Sequence, residues 1–211
     1  MLQGKWGVYY IIEEVMLPER FRRHKDDRPM QEFPDVEMKE FVHLLKRTKK
    51  FWDPVQGRKG IDGYQHGLQT ATRARKDYEQ NPQDFEGFTE AQIVFWALAH
   101  DAGRLLGNKN HARTSAEIMR GRIPDILVEA ASEHSKFQVD LILGTHKSDQ
   151  FKDEPWFPLA KRLETWDADS FDPKYPTLKL RHFKPYLREI YGVESKWEKV
   201  QSAVKNFRGK K

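Results

Sequence analysis

The sequence predicts an all-α protein, and three observations carry that prediction. Apolar residues recur every third or fourth position in successive segments, as on one face of a helix; Phe41, Leu44, Leu45 and Phe51 are an early instance. Helix-start signals precede several segments, among them a capping box formed by Thr89 and Gln92 and a proline, Pro124, ahead of an apolar run. Glycine-rich or proline-rich breaks, such as GRKGIDG, separate the segments.

The elements follow in order. KWGVYYIIEEVM is aromatic and β-branched enough for a short strand or hairpin, with a helix as the alternative. Residues 18–36 hold three prolines and many charges and read as a surface connection. The basic run Arg20, Arg22, Arg23 and Lys25 lies there and reads as a solvated face in preference to a nucleic-acid contact. A helix is expected from Val36 to Trp52, and a second over DGYQHGLQTATRARKDYEQ. From Thr89 the run QIVFWALAHDAG is apolar on nearly every side, which assigns it to the middle of the fold, with Gly103 and Gly107 ending it. Three separate helical patterns come next, HARTSAEIMRGR, PDILVEAASEHSKF and QVDLILGTHKSD. LAKRLETWDADSF, HFKPYLREIYG and ESKWEKVQSAVKNF complete the set. Residues 1–55 are expected to form an extension packed on the core, and 56–211 the helical domain, as a single structural unit.

Composition narrows the function. A chain of 211 residues is long enough for one substantial core, and its six Trp and thirteen Phe argue against disorder. The net charge of +5 and a pI near 9.2 favour anionic partners. The basic residues are nevertheless scattered instead of gathered into the stripe of a dedicated nucleic-acid binder. With no cysteine, disulfides, thiolate nucleophiles and zinc-cysteine sites are excluded, so any metal must be held by His and carboxylate. No apolar run approaches the ~18–20 residues that span a bilayer, and the N-terminal stretch lacks a signal-peptide cleavage pattern. A cytoplasmic protein without membrane contact is expected.

One dipeptide is out of character with its surroundings. His100 and Asp101 sit in the most apolar helix, where an unpaired buried charge costs several kcal/mol. Side by side they are about 100° apart on a helix, so both lean toward a point beside it. Taken alone, the pair reads most simply as a core histidine beside an Asp that caps, or that meets Arg73 or Arg104. Yet His66, His111, His134 and Asp167 occur on four other helical segments, and side chains from facing helices are how bundles build metal sites.

In this ordered set of H, HD, H, H and D the chain resembles the HD-domain superfamily of metal-dependent phosphohydrolases, over roughly residues 60–175. HGLQTA, the Trp166-Asp167 pair and SFDP are similar to a branch that includes the diiron oxygenases acting on myo-inositol and on organophosphonates. The resemblance implies an HD-type helical bundle with His66, His100, Asp101 and Asp167 around a first metal. Asp101 would bridge to a second metal held also by His111 and His134. Asp169 competes with Asp167, and His146 with His134; Trp166 before Asp167 and the SEHSKFQ context decide for Asp167 and His134.

Such ligands suit Fe, Mn, Zn, Ni or Mg, as one or two divalent ions. Asp101 and Arg104 are the catalytic candidates, and Arg104, whose forked guanidinium matches phosphate, is also the candidate substrate-binding residue. Lys109 and Arg113 read as solvated charges near His111. The expected activity is hydrolysis of a small phosphorylated metabolite or nucleotide by a metal-activated water. The alternative is a diiron oxygenase, and against it Arg104 and Gln138 stand where those enzymes usually carry His or Lys, and Lys. A regulatory metal module without turnover is the third reading; competent residues at every ligand position argue against it.

Overall fold

The computed structural model describes residues 36–50, 61–106, 111–143 and 146–194. The expected N-terminal strand, the basic run at 20–25, Gly107, Lys109 and the C-terminal helical segment fall outside these residues. Among the described residues the architecture is all-helical: α1 (Met38–Arg47), α2 (Gly63–Gln80), α3 (Glu90–Ala99), α4 (His111–Met119), α5 (Asp125–Leu143), α6 (Phe157–Asp169) and α7 (Leu180–Ile190).

Local chemistry sets the helix starts. The Asp62 carboxylate accepts from the backbone N–H of Gln65 at 2.7 Å and so caps α2. Thr89 and Gln92 form the expected capping box, each side chain accepting from the other's backbone N–H, at 3.2 and 2.9 Å. Pro124 stands just before α5, and its carbonyl accepts from Leu127 and Val128.

α3 is the axis of the bundle. Ile93 to Ala99 are all buried, consistent with a segment that has no polar face. It packs along α2 and α7 and touches α4 and α5, while α5 packs on both α4 and α6. Phe41 of α1 reaches this core and meets Phe95 with ring centroids 5.2 Å apart, in the tilted arrangement aromatic pairs favour.

Two boundaries differ from the sequence reading. The α3 helix ends at Ala99, ahead of both glycines, and a 3-10 turn over Ala102–Leu105 follows. Gly103 lies inside that turn, and its role is close approach: a Cβ there would stand 2.5 Å from the Ser115 backbone nitrogen and 2.6 Å from the His111 carbonyl oxygen. The two patterns PDILVEAASEHSKF and QVDLILGTHKSD also merge into the one long helix α5, because nothing between Phe137 and Gln138 breaks it.

Candidate metal centre

Five pieces of chain deliver six side chains to one buried point. His66 comes from the first turns of α2, His100 and Asp101 from the end of α3, His111 from the first residue of α4, His134 from the middle of α5 and Asp167 from α6. His100 ends α3, and Asp101 has already left helical geometry with φ −110° and ψ 3°. The pair therefore turns inward at a helix terminus, instead of leaning toward one point from successive helical positions about 100° apart. His100, His134 and Asp167 are fully buried, and His66 and Asp101 nearly so.

Each of three imidazoles is oriented by a main-chain carbonyl. Nδ1–H of His66 donates to Ser170 at 3.0 Å, that of His100 to Ala97 at 2.8 Å and that of His134 to Ala131 at 2.7 Å. A carbonyl can only accept, so Nδ1 carries the proton and Nε2 keeps a lone pair. Ala97 and Ser170 lie at the ends of α3 and α6, where carbonyls have no partner within the helix. Phe171 stacks on His66, with centroids 4.4 Å apart, and walls its other face.

The Nε2 atoms face one another and the two carboxylates. His66 Nε2 is 3.3 Å from His100 Nε2 and 2.8 Å from Asp167 Oδ1. Asp101 divides its oxygens: Oδ2 lies 3.5 Å from His66 Nε2 and 3.6 Å from His100 Nε2, whereas Oδ1 lies 3.4 Å from His111 Nε2 and 3.6 Å from His134 Nε2. Despite these approaches, both oxygens of Asp101 and of Asp167 and the Nε2 of His134 have no directed hydrogen bond among the described residues. Donors about 2.1 Å from a common divalent ion stand roughly 3.0–3.4 Å apart, and the separations here, 2.8 to 3.6 Å, bracket that range. Three overlapping triads meet this condition, with ligand atoms within 4.8 Å of one another: His66, His100 and Asp101; His100, His134 and Asp167; and Asp101, His111 and His134. The buried His and Asp groups are thus able to hold a metal ion, and orphaned lone pairs are what such an ion would satisfy.

The local field agrees. Burial would raise the pKa of Asp101, but Arg104 and the facing imidazoles outweigh it and hold the carboxyl well below its usual range. Burial is likewise overcome at Asp167, which His66 and His100 hold in the ionised form. Arg104 Nε stands 2.7 Å from Asp101 Oδ2. With Ile61, Asp62, Gly63, His66, Asp101 and Phe171 it lines a cleft with about 10 Å³ of free space, enough for about one water-sized group and far below the ~300–1,000 Å³ of common ligand pockets.

The competing candidates lie elsewhere. Asp169 is exposed, and its backbone carbonyl accepts from Arg73 at 2.8 Å. His146 is exposed beside Asp149, at 3.4 Å. Arg113 is exposed. Sequence reasoning missed Glu164, which is buried one turn before Asp167. The available signal was its spacing of three residues from a candidate ligand on the same helix. Comparison with known protein families, with curated proteins and with solved structures finds no match for this chain.

Proposed function

We propose that this chain is a metal-dependent phosphohydrolase of the HD type, acting on a small phosphorylated metabolite or nucleotide through a dinuclear centre. The observation that supports this reading best is the division of Asp101, with one oxygen facing His66 and His100 and the other facing His111 and His134. A carboxylate so shared would serve both cations, with Asp167 joining His66 and His100 in holding the first. Two divalent ions, when bound, polarise a phosphoryl oxygen and lower the pKa of a coordinated water from 15.7 toward ~7.

The chain's own residues supply the rest. Main-chain carbonyls hold three of the four imidazoles, those of His66, His100 and His134, with Nε2 turned toward the centre. Arg104, at the cleft and beside Asp101, brings a fixed positive charge and a planar donor fork to the place where a phosphoryl group would enter. Phe171 and Ile61 give the cleft an apolar wall that limits water around the reacting group.

The test is a panel of nucleotides and phosphomonoesters offered to the protein loaded in turn with Mn²⁺, Fe²⁺, Zn²⁺ and Ni²⁺. The proposal expects phosphate release that Asp101→Ala abolishes. Release persisting in that variant would remove the assigned site. Mixed-valent iron with no phosphate release would assign the centre to oxygen chemistry instead.

A further inference from the structure

Glu164 is a buried acid that none of the foregoing uses. It sits on α6 with 8% of its surface exposed, three residues before Asp167 and so on the same side of the helix. Neither carboxyl oxygen has a hydrogen-bond partner among the described residues. The neighbouring arginine on α6, Arg162, is turned the other way, to Asp77 and Asp84. A carboxyl group buried without a partner is costly to a fold, and the charged groups that act on it are Asp167 and Asp101, both of the centre.

We propose that Glu164 is a third carboxylate of the metal centre, a positioning residue outside the ligand set whose charge fixes affinity for the second cation. The inference rests on the two-ion reading above. Two carboxylates among neutral imidazoles leave two positive charges uncompensated when two divalent ions bind, and Arg104 adds another. In so buried a place that surplus repels the second ion. Glu164 offsets part of it without occupying a coordination position, for its oxygens belong to none of the three ligand triads.

The experiment titrates the metal-free full chain with Mn²⁺, reading free ion by its resonance signal, for wild type, Glu164→Gln, Glu164→Leu and Glu164→Asp, with a melting curve of each before loading. The inference expects the Gln and Leu variants to melt above wild type when metal-free, to bind the first Mn²⁺ near normally and to bind the second about 10- to 100-fold more weakly. Glu164→Asp, which keeps the charge, recovers part of that affinity. A merely structural Glu164 gives the opposite signs, a lower melting temperature with unchanged affinity, and overturns the inference alone. A wild-type protein that binds no Mn²⁺ overturns the two-ion reading and this inference with it.

Discussion

His66 and His100 point their Nε2 atoms at each other across 3.3 Å while the Nδ1–H of each donates to a carbonyl, of Ser170 and of Ala97. Two lone pairs set so close repel unless something electropositive lies between or beside them. A proton can serve, on His66 toward Asp167, 2.8 Å away; divalent cations, one on each side of Asp101, would serve all six side chains. The competition between these two governs how the protein should respond to pH.

Metal affinity should fall with acid. Burial lowers the His66 pKa, but the charges of Asp167 and then Asp101 outweigh it, so the net shift is upward from 6.5. The ligating imidazole must be neutral. Affinity is therefore full above the raised value and drops by up to about tenfold per pH unit below it for the one proton displaced. The metal-free fold responds in the other direction: stability from the proton on His66 is complete below the unfolded value of ~6.5 and is lost as pH rises through the folded one. Competition titrations at pH 6 and pH 8.5 check this, and equal affinities would refute it.

His111→Ala should separate the two ions. His111 faces only the Oδ1 side of Asp101, so the variant is expected to keep about one equivalent of metal of the two the site holds. Phosphate release should fall by about 10²-fold or more. Elemental analysis beside a phosphate assay reads both quantities.

Gly103→Ala tests how the fold positions His111. The added methyl group meets backbone of α4, at the Ser115 nitrogen and the His111 carbonyl, and backbone cannot swing aside as a flexible side chain does. A destabilisation of about 1–3 kcal/mol is expected, together with loss of one metal equivalent. A melting curve with and without metal distinguishes this outcome from general unfolding.

Asp77→Asn tests the clamp between α2 and α6, the helices that carry His66 and Asp167. Asp77 accepts from Arg162 at 2.7 Å and from the Trp166 indole at 2.9 Å. Burial opposes ionisation, but these bonds and the one from Asn81 outweigh it and lower the pKa below 3.8. The contribution is present above about pH 4 and lost as pH falls through the lowered value. With Arg162 34% exposed, solvent screening trims the expected cost to about 1 kcal/mol at neutral pH. Chemical denaturation at pH 7 and pH 3 should show a smaller difference between variant and wild type at the lower pH.

Much of this was legible before folding, where chemistry is local. The Thr89 capping box and the all-round apolar pattern of α3 depend only on near neighbours, and both expectations match the structure. His66, His100, Asp101, His111, His134 and Asp167, named from their types and order, are the residues the structure draws together. What local pattern could not supply was tertiary. Gly103 reads as a helix terminator until α4 is seen against it. Glu164 looks like any helix-surface acid in LETWD, because only the arrangement of α6 on its neighbours buries it.

The central claim is that the six side chains gathered at this point, five of them buried, hold metal. Elemental analysis of protein purified without chelator, run beside the double variant Asp101→Ala, His134→Ala, addresses it most directly. The account predicts about two equivalents of a divalent metal in the wild type and less than about one-tenth in the double variant. A folded wild type that takes up no metal even when it is supplied in excess, or a double variant that retains it all, would contradict the account.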